Sequence, residues 1–288
     1  MSRIPHTTTL RRLIEQPRAI PVVGAYDALT ARLVERAGFE AVYVGGYALS
    51  ATQLGLPDVG LLTMTEMLDS VRRICAAIDV PVIADGDTGY GNHVNTDRLI
   101  RELERAGAAA VHLEDQAFPK RCGHMDGKRL DSTQAMVDKI AAAADARHDP
   151  DFIIVARTDA LAVDGFDAAI ERAARFREAG ADVLFVEAPT TVEQIAAIPK
   201  LLPGPNWFNA SWDGKSPLPS LQSLDAHGYR LVIYPDTVFA AVKAVSRLLE
   251  TIRDTGGYGN ADLLTGFQEF NALAGLDRVA ALDRRYQG

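Results

Sequence analysis

Short apolar runs recur along this chain, each stopping at an acid, an arginine or an amide and then giving way to a stretch rich in Ala, Leu, Arg and Glu. This alternation constrains the fold more than any other feature. A parallel strand buried on both faces reads as a continuous apolar run, and parallel neighbours need a crossover between them, usually a helix. The sharpest instance is VPVIADGDTGYGN, residues 80–92. Val82-Ile83-Ala84 is apolar, and Asp85 and Asp87 follow among glycines at 86, 89 and 91. Glycine lets a backbone turn sharply and approach a ligand closely. Two hard oxygen ligands on such a turn suit Mg²⁺, which takes one or two carboxylates and keeps water and substrate elsewhere, with Mn²⁺ as a possible substitute. Taken alone, the stretch reads equally well as an acidic surface turn. The recurrence down the chain is what favours a site.

The runs predict strands over residues 19–24, 41–45, 82–84, 109–113, 152–156, 183–186, 207–210 and 231–234. Helices are predicted over 9–16, from Asp27 as cap to Gly38, over 63–78, 96–106, 132–147, 167–179 and 237–253. Thr63 and Glu66 stand at capping-box spacing, and Gly107 is placed to stop its helix. Eight strand–helix units in 288 residues match a (β/α)₈ barrel. A doubly wound open sheet is the runner-up, but it usually needs fewer strands. In a barrel the C-terminal strand ends meet on one face, which would gather Asp85, Asp87, Glu114, Arg157, Glu187 and Asn209. The whole chain, 1–288, reads as one barrel domain with a helical lead-in over 1–18 and a helical tail over 257–288. The tail carries Leu263, Leu264, Phe267, Phe270 and Leu273 at helical spacing, more apolar surface than one barrel needs. It is expected to pack on a neighbouring subunit; covering the barrel's own base is the alternative.

Composition narrows the partners. A net charge of -8 without charged blocks argues against nucleic acid, and no apolar run approaches the roughly 20 residues that span a bilayer. The first residues lack the apolar core of a signal peptide, and Cys75 and Cys122 are too few for a disulfide framework. A soluble cytoplasmic protein acting on a small molecule is the expectation.

Residues 116–131 form a loop too long for a simple strand–helix connection, and loops of that length are often functional. It contains Lys120-Arg121-Cys122-Gly123-His124. A thiol beside two cations and a histidine is expected to have a depressed pKa and to exchange protons near neutrality. Gly123 and Gly127 would let the loop move as a lid. Cys75, beside Ile74 and Ala76 in a helix, reads as an inert small hydrophobe. A zinc site is disfavoured because Cys122 and His124 have no further cysteine nearby; a Cys–His nucleophile remains possible. Around Asp85, Asp87 and Glu114, with Asp58 as an outer partner, a divalent cation would hold the oxygens of an α-oxo or α-hydroxy carboxylate. Arg157 suits bidentate binding of a carboxylate; a structural ion pair with Glu187 or Asp159 is its bland reading.

The motifs GAYDALTARL, GLPDVGLLTMTEM, PVIADGDTGYGN, HLEDQAFPKRCGHMDGK, IIVARTDA and FVEA together resemble the isocitrate lyase/phosphoenolpyruvate mutase superfamily, over about residues 19–255. The resemblance implies a (β/α)₈ barrel whose last helix is exchanged between subunits, commonly in homotetramers. It implies Mg²⁺ held through Asp85, Asp87 and Glu114 with Asp58 nearby. Tyr43, Gly45 and Gly46 would meet the oxo-acid portion of the ligand and Arg157 its carboxylate. KRCGH looks like the lyase form of the mobile loop, and the chain looks most like short bacterial lyases of the 2-methylisocitrate type. The implied chemistry is retro-aldol cleavage of a 2-hydroxy di- or tricarboxylate to an α-oxo acid such as pyruvate. Tyr43 would be the base, Cys122 the proton donor, and His124 and Glu187 would bind or polarise the leaving half. One segment departs. Where short lyases read close to ANMTEFGKTP, residues 208–217 are FNASWDGKSP, so Trp212 replaces a Glu and Ser216 a Thr, while Asn209 remains. That leaves a dimethylmalate-like diacid as good a fit as methylisocitrate, with oxaloacetate hydrolysis and phosphonomutase chemistry as alternatives on the same scaffold. A catalytically dead barrel would be expected to lack an acid or the loop cysteine, and none is missing.

Overall fold

The computed structural model describes residues 4–259 and 261–287. Strands β1 (Ile20–Gly24), β2 (Val42–Val44), β3 (Val82–Asp85), β4 (Ala110–Glu114), β5 (Ile153–Thr158), β6 (Val183–Val186), β7 (Asn206–Asn209) and β8 (Leu231–Tyr234) pair in parallel in chain order. β8 returns to β1 and closes the barrel. The expected strands are all present; β7 starts one residue earlier than the sequence suggested.

The helices of this unit are α1 (His6–Glu15), α2 (Ala28–Arg36), α3 (Gly46–Leu49), α4 (Met64–Cys75), α5 (His93–Ala106), α6 (Thr133–Ala146), α7 (Ala160–Val163), α8 (Phe166–Glu178), α9 (Val192–Leu201) and α10 (Leu221–His227). Their starts follow local chemistry. Asp27 accepts from the Thr30 N–H, and Thr63 and Glu66 form the reciprocal capping box. Asn92 caps α5, so this helix begins three residues before the expected Thr96. α9 and α10 were not legible as helices, because Pro199 interrupts one and the other spans only 7 residues. A π-helical turn, Ser50–Leu54, follows α3.

Side-chain alternation along each strand sorts the core into two layers. Ile20, Val22, Tyr43, Ile83, Ala110, Ile153, Val155, Val183, Phe185, Trp207, Leu231 and Ile233 fill the barrel, and Leu10, Leu13 and Ile14 of α1 close one end. The opposite parity, including Val82, Ala84, Val111, Leu113, Ile154 and Ala156, packs with Leu99, Leu103, Met136 and Ile140 of the surrounding helices. The same alternation has a consequence at the strand ends. Asp85, Glu114, Arg157 and Asn209 lie on the inward parity, each two residues beyond an interior side chain.

The chain divides after Asp236. The second unit contains α11 (Thr237–Thr255), a 3₁₀ turn (Ala261–Leu263), α12 (Phe267–Ala274) and α13 (Leu276–Tyr286). The helix after β8 therefore groups with the later helices. Among its described residues α11 buries only Val238, while Val242, Val245 and Leu249 are exposed, and Phe267 on α12 is 83% exposed. No described helix is long and apolar enough to cross a membrane.

Packing of α5 gives the first prediction. Leu99 is fully buried, so Leu99→Ala should destabilise the barrel by about 2–5 kcal/mol. Val94→Ala on the exposed side of the same helix should cost less than about 0.5 kcal/mol. Denaturant midpoints of the two variants check the contrast; equal shifts would contradict the assigned core face.

Candidate active site

The DGDTGYG turn leaves β3 with Asp87, Gly89, Tyr90 and Gly91 all at positive φ. Gly86 sits so close to β4 that a Cβ there would meet Leu113, Val111 and the His112 carbonyl within 3.0 Å. The tight turn aims both carboxylates at the barrel mouth. Asp85 Oδ2 accepts from the Gly46 N–H at 2.9 Å and the Tyr43 hydroxyl at 3.1 Å, and its Oδ1 accepts from the Asp87 N–H at 2.9 Å. The Gly46 N–H, expected to face an oxo acid, is thus committed to Asp85. Gly45 packs against the Tyr43 ring.

Lys120 occupies the middle of the acidic group. Its Nζ lies 2.6 Å from Asp87 and 2.7 Å from Asp58, and all three side chains are buried. Glu114 turns toward Arg157 at 3.3 Å and leaves Oε1 buried without a hydrogen-bond partner. The expected ligand set is therefore gathered on one face but interleaved with cations. Among the described residues no three His, Cys, Asp or Glu side chains converge in ligating geometry. Charge is still out of balance. Burial, with Asp85 and Asp58 adding repulsion, pushes Asp87 up to about 7 despite Lys120, and burial pushes Glu114 well above its usual range. Burial alone would raise Asp85 too, but His112, Lys120 and the two backbone N–H groups outweigh it and hold this carboxyl low. A divalent cation is the kind of group that relieves such a surplus and engages the unpaired Glu114 oxygen, so the residues present fit one.

Arg157 stands opposite. Its Nε and Nη2 form a fork on Asp159 at 2.9 and 3.0 Å, and its Nη1 reaches Glu187 at 3.1 Å. The fork expected for a ligand carboxylate is thus taken by Asp159, and only the Nη1 side faces Glu114 and Glu187. Phe185 stacks under the guanidinium, with Cζ 5.4 Å from the ring centroid. Asp159 is held in turn by Lys128 and by the backbone bond to Asp115.

The cysteine loop is folded over this network. A Cβ on Gly123 would meet Arg157 Nη2 at 2.3 Å and Glu187 at 2.6 Å, so only glycine lets the loop approach so closely. His124 Nδ1 accepts from the Lys215 N–H at 3.0 Å, and its Nε2 lies 3.3 Å from Asn209 Nδ2 and 3.5 Å from Glu187. Asn209 Oδ1 and the buried Ser216 Oγ have no hydrogen-bond partner. Trp212 is 69% exposed, and its backbone N–H donates to Asp236.

Two expectations are corrected here. Cys122 was expected to have a depressed pKa, but burial pushes its thiol up to about 11. Its sequence neighbours do not serve it. Lys120 turns into the acidic group and Arg121 to the Asp126 carbonyl, while Asp58 and Glu187 offset Arg157. Tyr43 was expected to act as a base. Burial, and then the Asp85 charge, hold its phenol protonated well above the usual range, so it serves as a hydrogen-bond donor. Cys75 is as expected, a half-buried thiol pushed up to about 12 by burial.

Three participants escaped the sequence reading. Lys120 was taken as a neighbour of the thiol, since nothing in KRCGH tells which way a loop side chain turns. Lys128 lies late in the same irregular loop and carries no pattern. His112 had a usable signal, its position two residues before Glu114 on the inward side of β4.

The pattern for the family described as phosphoenolpyruvate phosphomutase matches residues 10–253. A 2,3-dimethylmalate lyase of Eubacterium barkeri is 45% identical over 279 residues, covering 96% of each chain. Among solved structures, oxaloacetate acetylhydrolase with the inhibitor 3,3-difluorooxalacetate superposes with a TM-score of 0.94 at 34% identity, over 98% of this chain and 97% of that one. Phosphonopyruvate hydrolase with oxalate and Mg++ gives 0.90 at 34% identity, over 99% and 100%.

The thiol environment generates a second prediction. In Cys75→Ser protein the alkylation rate of Cys122 should keep rising with pH and inflect near 11, above the ordinary thiol value of about 8.5. Rates against pH with iodoacetamide measure this. An inflection at or below 8.5 would restore the activated-thiolate reading.

Proposed function

The chain belongs to the phosphoenolpyruvate mutase/isocitrate lyase superfamily, and from that premise we propose that it is a metal-dependent lyase cleaving a carbon–carbon bond. Its proposed substrate is a 2-hydroxy dicarboxylate of the 2,3-dimethylmalate kind, and its products are pyruvate and a simple carboxylate. The observation carrying this reading is a neutral, half-buried Cys122 thiol in the loop whose Gly123 lies against Arg157 and Glu187. A thiol kept protonated at neutral pH suits an acid that delivers one proton to carbon, whereas it is a poor nucleophile. The likeness to a dimethylmalate lyase over nearly the full length supports the diacid.

Asp85, Asp87 and Glu114 would hold Mg²⁺ or Mn²⁺, with Asp58 acting through Lys120. The bound ion would supply Lewis-acid stabilisation of the negative oxygen that develops at C2. The protein's own side chains account for the rest. Arg157 Nη1 faces one carboxylate of the substrate, and His124, Asn209 and Ser216 face the departing half. Tyr43 and the folded loop orient the C2 oxygen and keep water out. The C2 hydroxyl loses its proton to solvent on binding, before the loop shuts water out, and in the cleavage its oxygen becomes a carbonyl. The C2–C3 electron pair passes to C3, and the Cys122 S–H protonates that carbon; the thiolate recovers a proton from solvent. Nothing is oxidised or reduced overall. The exposed apolar positions on α11 and α12 support assembly into a homotetramer through exchanged C-terminal helices, and two unpaired cysteines suit a cytoplasmic setting.

The third prediction tests this reading with a panel of 2,3-dimethylmalate, 2-methylisocitrate, isocitrate and oxaloacetate, scored by pyruvate release and product analysis. EDTA-sensitive pyruvate from dimethylmalate is expected. Cys122→Ser should lower kcat by at least about 100-fold with Mn²⁺ binding unchanged. Acetate and oxalate from oxaloacetate alone would favour the hydrolase alternative suggested by the structural likeness. Silence from every hydroxy acid would sink the lyase.

A further inference from the structure

Among the buried ionisable groups that the proposed chemistry leaves unused is a histidine inside the barrel. His112 lies on β4, two residues before Glu114, and is 1% exposed. Its ring stacks on Trp207, with centroids 6.0 Å apart, and tilts against Phe185 at 5.5 Å. Nδ1 stands 3.2 Å from the Tyr43 hydroxyl and 3.5 Å from Asp85 Oδ1, while Nε2 has no hydrogen-bond partner. An interior apolar layer has been given a single imidazole, and that imidazole touches the underside of the acidic group.

The direction of these bonds follows from counting protons. Tyr43 has one, and its oxygen lies between Asp85 Oδ2 at 3.1 Å and the His112 nitrogen. A carboxylate can only accept, so the phenol proton belongs to Asp85 and the phenol oxygen accepts from Nδ1–H. The same N–H leans toward Asp85 Oδ1. Nε2 is then a bare lone pair among aromatic rings, in keeping with its lack of a partner. The opposite tautomer would take a donor away from Asp85 and bury an unpaired N–H, both unfavourable.

We propose that His112 is a positioning residue that sets the orientation of Asp85 from inside the barrel, by a chain running from His112 Nδ1–H to the Tyr43 hydroxyl to Asp85 Oδ2. Resting on the metal reading above, it makes the imidazole an outer partner of the ion that Asp85 would hold. Partners of this kind orient ligands and typically govern metal affinity by 10–100-fold. They also explain why Tyr43 stays a donor rather than a base.

Two measurements test it, neither using turnover. The first is Mn²⁺ titration, followed by electron paramagnetic resonance, of the wild-type protein, His112→Phe, His112→Asn, Tyr43→Phe and the Phe/Phe double variant. His112→Phe keeps an aromatic ring but removes the donor and should weaken Mn²⁺ about tenfold. His112→Asn places an amide near the Nδ1 position and should recover most of that loss. The double variant should bind no more weakly than Tyr43→Phe, because the two residues act in series. Unchanged affinity in His112→Phe, or additive losses in the double variant, overturns the proposal. Wild-type protein that binds no Mn²⁺ overturns the metal reading beneath it, a distinguishable failure. The second is ¹⁵N-histidine NMR of the wild-type protein, independent of metal and of whether any variant folds. A proton on Nδ1 is expected for His112, and a proton on Nε2 instead overturns the proposal.

Discussion

Carboxylates outnumber cations at the mouth of this barrel, and most of its architecture serves to keep them there. Asp58, Asp85, Asp87, Glu114, Asp115, Asp159 and Glu187 are buried, with Lys120, Lys128 and Arg157 as the buried positive charges beside them. Removing a carboxylate from water is costly unless charge and hydrogen bonds replace the lost hydration. The structure meets that demand in two halves. Arg157 and Lys128 satisfy Asp159 and Glu187, so that side is nearly neutral. On the other side Lys120 alone faces Asp58 and Asp87, and the Glu114 oxygen goes unpaired. The deficit of positive charge is localised, and localised deficits are where a cation binds.

The two halves are joined by the loop after β4. Lys120 enters the acidic side while Gly123, three residues on, lies against Arg157 and Glu187. Cys122 is therefore suspended between them, with its N–H on the Asp58 carbonyl. Its thiol stays neutral for the same reason the acids are strained: burial disfavours the charged form wherever no partner compensates.

Much of this was readable in the chain itself. Apolar runs stopping at Asp85, Glu114, Arg157 and Glu187 were enough to assign eight parallel strands, closed as a barrel, and a polar face at their C-terminal ends. The reason is that strand burial and the period-2 alternation are local properties, written in consecutive residues. The Thr63–Glu66 capping box and the Asp27 cap were legible on the same ground.

What depended on three dimensions was direction and environment. The sequence placed Lys120 beside Cys122, yet its ammonium turns to Asp58 and Asp87, because a loop side chain follows the field of strands distant in sequence. Arg157 read either as a fork for a ligand carboxylate or as an ion pair with Glu187 or Asp159, and the folded chain closes that fork on Asp159. Tyr43 looked like a base until burial and Asp85 were seen around it. His112 was one residue in an apolar run until the closed barrel brought it under Tyr43 and against Trp207. The identity of the strands and the residues at their ends was determined by the sequence alone. Protonation state, bond direction and partner choice were decided by the tertiary structure, because they depend on solvent exclusion and on charges contributed by several strands at once.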